Sequence, residues 1–473
     1  MIVVRSTRVV LREGVQPASI HIDDGRIIRI LAHGETADVR QVIDLGNLVV
    51  SPGIVDTHVH INEPGRTEWE GFDTATSAAA AGGVTTLVDM PLNSIPATTN
   101  VAGLEAKQAA ASRACHVDVA FWGGVVPGNS TDLEALVDAG VCGFKCFLAP
   151  SGVEEFKKVD ENDLRQALPI LARRNVPLLV HAETPALLRG FKAGANFITG
   201  DGAPPPSRTY ADASPRISSP RLGIAAGAPH QAYEAYLATR PPESEIDAIR
   251  MMIRLAEEFA VLTHIVHVST AAAVEDLARA QSDGVPVTAE TCPHYLTFAA
   301  EDIQEGATEF KCAPPIREGA NRDQLWEGLR QGVIGMIVTD HSPSPPVLKV
   351  PGDFMRAWGG IASLELSLAA VWTGASARGF GPTDLARWMS MAPAALAGLT
   401  DRKGAIAPGR DADLVAWDPD AEFVVDPCNL KQRHKQTPYA GRRLRGMVRR
   451  TFLRGTLVWD GERAQSPPSG RLL

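Results

Sequence analysis

GIVDTHVHI, residues 53–61, is a short apolar run that carries two histidines, His58 and His60, near its end. Side chains alternate between faces along an extended strand, so both imidazoles point to one side. Seven more runs of this kind follow: VTTLVDMP (84–91), VDVAFWGGV (117–125), CGFKCFL (142–148), PLLVHAE (177–183), THIVHVS (263–269), PVTAE (286–290) and IGMIVTD (334–340). Between most of them lie stretches with apolar residues at helical spacing, such as DLEALVDAG (132–140), DLRQALPILARRN (163–175) and EIDAIRMMIRLAEEFA (245–260). Repeated strand–helix units predict an α/β fold, a (β/α)8 TIM-type barrel over residues 52–401.

Outside that span the pattern changes. Residues 1–51 and 402–473 alternate apolar and polar positions between turn signals, as in HIDDGRIIRIL, ADLVAWD and GTLVWDGE. They predict one small β-sandwich domain built from both chain ends. Residues 186–242, rich in Pro, Gly and Ser, separate the fifth strand from its helix. So long a connection is expected either as an active-site lid or as a surface excursion.

The 473 residues are 45% hydrophobic and 21% charged, ordinary globular usage, and no apolar run approaches the roughly 20 residues of a membrane span. A net charge of −9 argues against nucleic acid as a partner, since phosphates call for a basic surface. The opening MIVVRSTRVVLREG reads as a strand and not as a secretory signal, and six cysteines without CxxC spacing suit a reducing cytoplasm. The basic stretch from Lys431 to Arg450 is expected on a solvated face and is assigned no partner.

The C-terminal ends of barrel strands share the face where barrel enzymes work. There the sequence places His58 and His60 (first strand), Lys145 (fourth), His181 (fifth), His267 (sixth) and Asp340 (eighth). Four histidines and an aspartate on four strands point to a metal centre. A protonated lysine is a poor neighbour for cations, so Lys145 is either neutral and modified or a packing and substrate residue. Desolvation lowers a lysine pKa, and the free amine can add carbon dioxide to give an anionic carbamate. Two metals about 3.5–4 Å apart acidify a shared water and polarise a carbonyl. Asp340 is then the catalytic group that moves the proton to a departing nitrogen. His264, three positions before His267, and His21, His33, His116 and His434 read as structural or surface residues. His294 and His341 are candidates for substrate or supporting contacts.

DTHVHINEPGRTEWEGF (56–72), AAAAGGVTTLVDMPLNSIPATT (78–99), GFKCFL, CPHYL, KCAPPIR, GDF and AWGGI resemble the cyclic amidohydrolases. That family includes dihydroorotases, hydantoinases, dihydropyrimidinases and allantoinases, and the motifs resemble the allantoinase branch most. The resemblance implies His58 and His60 on one metal, His181 and His267 on the other, carboxylated Lys145 bridging them, and Asp340 beside the first. It also implies two divalent ions, usually zinc, with cobalt, iron or manganese serving in relatives, and a homotetramer acting on a small cyclic ureide. Dihydroorotases resemble HLREPG where this chain has HINEPG, so Asn62 replaces an arginine that would pair a substrate carboxylate. Allantoin has a ureido arm and no carboxylate, which favours Asn62 as a substrate contact, although a structural role stays open. By resemblance, Cys292 and Pro315 lie on segments whose backbone lines the substrate pocket. Ser344, where DHSPC is common, and the 186–242 excursion depart from the branch's pattern.

The expected function is therefore hydrolysis of allantoin to allantoate. A hydantoinase, dihydropyrimidinase or dihydroorotase is the alternative separated by substrate profiling. A metal-free scaffold on the same fold is the non-enzyme alternative, separated by metal content.

Overall fold

The computed structural model describes residues 1–35, 40–188, 232–465 and 467–473. Its parallel strands are Ile54–Val59, Val84–Asp89, Asp118–Phe121 continued by Gly123–Gly124, Phe144–Phe147, Leu178–His181, Thr263–Ile265, Val287–Thr291 and Met336–Ile337. Hydrogen bonds join them in this order as a three-stranded and a six-stranded parallel sheet. The division falls at Trp122, whose amide reaches Asp89 O at 3.0 Å, while the Gly123 amide reaches Gly143 O at 2.9 Å. Past Ile337 the chain comes back beside the first strand. His341 forms a parallel bridge with Val59, and the His60 amide donates to His341 O at 2.8 Å. Most of these strands are buried at every position, which is why they read as continuous apolar runs rather than alternating ones.

Helices follow the strands where the spacing predicts them. Glu161–Arg174 buries Leu164, Ala167, Leu168 and Leu171 on one stripe. The Asp160 carboxylate accepts from the Asn162 and Asp163 amides in a capping box, and Asn175 ends the helix in the left-handed conformation. Pro242–Phe259 buries Ala248, Ile249, Met252, Leu255 and Ala256 in the same way.

The chain ends meet in a second sheet of eight strands, which runs from Arg26–Ala32 through Ile2–Leu11 and Val49–Pro52 to Leu414–Val424 and Thr456–Trp459. The hydrogen-bonded path through these strands is continuous. It covers its own apolar cluster, including Val4, Ile20, Leu414 and Phe452.

One buried ionic knot ties this sheet to the third parallel strand. The Lys403 ammonium lies 2.6 Å from Asp118, 2.6 Å from Asp413 and 3.0 Å from Asp411. Arg454 also pairs with Asp118, and the Arg471 amide donates to it at 2.8 Å. Three carboxylates this close could hold a cation, and the lysine already fills that role.

Every Lys and Arg of Lys431–Arg450 is exposed or half-buried, as a solvated face requires, but between the charges the 431–439 segment packs onto the barrel-side loop through its other groups. The Arg433 amide donates to Glu70 at 3.0 Å, the His434 ring pairs with the Glu68 carbonyl at 2.7 Å, and Tyr439 is fully buried. Backbone carbonyls and one carboxylate of the 62–72 loop thus occupy polar groups that a charge count assigns to water. Of the 186–242 excursion, residues 189–231 lie outside the described residues; its end returns as the short helix Tyr233–Leu237. Among the described residues, no helix is long and apolar enough to cross a membrane.

Candidate metal centre

Six side chains singled out from the sequence gather at the C-terminal ends of the parallel strands, and the six are buried. His58 Nε2 lies 3.3 Å and His60 Nε2 3.4 Å from the same Asp340 oxygen. His181 Nδ1 faces His267 Nε2 at 3.0 Å, and the His58 and His267 rings are 5.4 Å apart between centroids. Lys145 Nζ is buried without a hydrogen-bond partner among the described residues and stands 4.9 Å from the centre of the Phe147 ring. An ammonium so placed is costly. Burial pushes the Lys145 pKa down to about 8, which raises the share of free amine near neutrality.

Protonation favours metal binding as well. Burial lowers the pKa of His60, His181 and His267, which keeps them as neutral imidazoles with a free lone pair. Burial opposes ionisation of Asp340, but the His58 and His60 rings outweigh it and hold the carboxyl below its ordinary range. Neutral imidazoles, a carboxylate and an orphaned amine that can become a carbamate are a donor set that fits divalent cations.

Neighbouring carboxylates orient the rings. His58 Nδ1 lies 2.5 Å from Glu290, whose other oxygen takes His264 Nε2 at 2.9 Å. His181 Nε2 lies 2.8 Å from Glu183, and Arg240 pairs with that same carboxylate oxygen. In each case the outer nitrogen is engaged and the inner one is turned toward the cluster, as for metal-bound histidines backed by carboxylates. Sequence reasoning missed all three of these supports. Glu290 ends the run PVTAE and Glu183 follows His181 by two, so the strand-end rule that selected the histidines could have found both. Nothing local marks Arg240, which lies near the far end of the 186–242 excursion.

A cavity of about 70 Å³ opens on the cluster, lined by five of the six together with Asn93, Arg240, Cys312, Trp358 and Gly360 among others. Lys145 does not line it. Neither do Asn62, Cys292 and Pro315. Asn62 is buried in the left-handed conformation with its Nδ2 3.4 Å from the Pro343 carbonyl, while its Oδ1 has no partner. The Cys292 carbonyl is taken by the Tyr295 amide and the Pro315 carbonyl by the Ser269 hydroxyl. His264 belongs to the Glu290 network, and His341 accepts from the Ser363 and Leu364 amides at 3.1 and 3.2 Å. His294 is fully buried, and neither ring nitrogen has a partner among the described residues.

The amidohydrolase family model matches residues 49–458. The chain is 47% identical to an allantoinase of Streptomyces avermitilis, covering 100% of this chain and 98% of that one. It is 42% identical to an allantoinase of Arabidopsis thaliana, covering 99% and 90%. Among solved structures, an L-hydantoinase (dihydropyrimidinase) of Arthrobacter aurescens superposes with a TM-score of 0.86 at 30% identity, covering 98% of this chain and 97% of that one.

Proposed function

The chain belongs to the amidohydrolase family, and from that premise we propose that it is a metal-dependent allantoinase, which hydrolyses the hydantoin ring of allantoin to allantoate. The observation that carries the chemistry is the convergence of His58, His60 and Asp340 with His181 and His267 around the unpartnered Lys145. The substrate rests on full-length identity to allantoinases.

In this reading, His58 and His60 would hold one divalent ion and His181 and His267 the other. Lys145 would serve as an anionic ligand to both once its free amine had added carbon dioxide and released a proton, and Asp340 would be a further ligand to the first. Two such ions, zinc by family usage, would supply Lewis acidity toward the ring carbonyl and acidify the attacking water. Asp340, held ionised, accepts the proton of that water and returns it to the ring nitrogen as the carbon–nitrogen bond breaks. Glu290 and Glu183 fix which nitrogen of His58 and His181 faces inward. Asn62, which does not line the cavity, stays assigned to the ureido group of the substrate by resemblance, as Cys292 and Pro315 stay assigned to the pocket's backbone.

We read the two parallel sheets, joined at Trp122 and brought together at His341, as one (β/α)8 barrel over 52–401. The terminal sheet, 1–51 with 402–473, forms the second domain. The free cysteines favour the cytoplasm, and a homotetramer follows family usage.

The test is the specificity constant for allantoin beside hydantoin, dihydrouracil and dihydroorotate on one metal-replete preparation. A clear preference for allantoin, abolished by chelation, is expected. If allantoin is inert while another cyclic amide turns over, the substrate assignment falls and the metal chemistry stands.

A further inference from the structure

Two buried cations lie beside the cavity and take no part in the chemistry described. Lys311 and Lys349 are 3% and 5% exposed, and each satisfies its ammonium with backbone carbonyls. Lys311 Nζ donates to Ala357 O at 2.6 Å and Met355 O at 3.3 Å. Lys349 Nζ donates to Gly360 O at 2.5 Å and Trp358 O at 3.2 Å. All four carbonyls belong to one loop, residues 355–360.

The main chain reinforces the arrangement. The Gly360 amide donates to Lys311 O at 2.8 Å, and the Trp358 amide to Leu348 O at 2.7 Å. At its far end the loop presses against Ser342, whose carbonyl lies 2.2 Å from where a Cβ on Gly360 would stand. Trp358, Gly359 and Gly360 then form part of the wall of the cavity that also exposes His58, His181 and Asp340.

Burying a charge without a counter-charge is expensive, and the molecule does so twice within one short stretch. Burial lowers Lys349 to about 8 and Lys311 to about 7, Lys311 being pushed further by Arg240 and by Lys349 itself. The carbonyls are fixed in return, because each Nζ, as ammonium or as free amine, has hydrogens enough to donate to both of its carbonyls. Losing that donor would leave the loop looser, and a binding wall displaced by about 1 Å loses much of its complementarity.

We infer that Lys311 and Lys349 are positioning residues that clamp the 355–360 loop as a wall of the substrate cavity and thereby set how tightly the cyclic ureide binds. The inference rests on the reading of this cavity as the substrate site.

The test uses Lys349→Met and Lys311→Met in the full-length, metal-replete protein. KM and kcat for allantoin, metal content per subunit, and amide hydrogen exchange over 353–361 are measured for each. The expected result is a KM raised about tenfold or more with kcat within about threefold of the parent, the signature of lost uniform binding. Metal content is expected to match the parent, and faster exchange to be confined to that loop. Faster exchange with an unchanged KM overturns the inference, because the loop is then clamped without consequence for binding. Unchanged exchange overturns it too, because the lysines then do not hold the loop. If a Met variant fails to fold, Lys311→Gln or Lys349→Gln, which keeps a polar N–H group but lacks the lysine's reach, is read in the same way. A parent protein that turns over no cyclic amide sinks the functional reading itself; active parent and indistinguishable variants sink only the clamp.

Discussion

His267 and Asp340 adopt φ angles of 42° and 46°, a region that costs a side-chain-bearing residue about 1–3 kcal/mol. Their strands end at Ile265 and Ile337, so a left-handed backbone rather than strand alternation aims both side chains. The residue types and their order were legible from the sequence, but this placement was not, since neither carries a glycine or turn signal. Glu183→Gln and Glu290→Gln are expected to lower affinity for a divalent ion by about 10–100-fold, read by competition with a chromogenic chelator. Affinity equal to the parent's would deny these carboxylates their orienting role. Asn62 needs a different substitution because its φ is 67°. Asn62→Gly keeps that backbone accessible while removing the amide. A KM for allantoin raised about 3–10-fold at little cost in Tm is expected if one hydrogen bond to substrate is lost, and an unchanged KM would make Asn62 a turn residue only.

At the scale of elements, the seating of the 431–439 segment depends on Glu365, which accepts the Lys431 amide at 2.6 Å. Burial raises the Glu365 pKa from 4.5 to about 7. Between those values the folded chain binds more protons than the unfolded one, so stability falls as pH rises through the window. Glu365→Gln removes that loss. Its Tm should exceed the parent's at about pH 8 and approach it at about pH 5, where little of the window has been crossed. A gain of the same size at both pH values would point to packing instead. The eight parallel strands and the long helices were readable because burial on both faces and helical spacing leave strong local patterns. The terminal sheet was readable as strands but not in its order, since pairing such as Trp417 with Val49 joins residues far apart in sequence. The packed 431–439 segment was hidden for a similar reason: its partners, Glu68 and Glu70, are supplied by a distant loop.

For the molecule as a whole, the knot at Asp118 is the place where a single substitution reaches furthest. Lys403→Met strands buried carboxylates without their shared cation and is expected to cost about 3–5 kcal/mol, read as a lower urea midpoint with the slope unchanged. A midpoint within error of the parent would mean that Arg454, together with Arg402, which pairs with Asp411 at 3.0 Å, suffices. Asp118 also accepts the Arg471 amide across 353 residues of chain, and Leu472 bridges to Val119 beside it. During synthesis at about 5–20 residues per second, those partners leave the ribosome about 20–70 s after the strand they complete. Throughout that interval the third parallel strand lacks the C-terminal partners that cover Asp118 and pair with Val119.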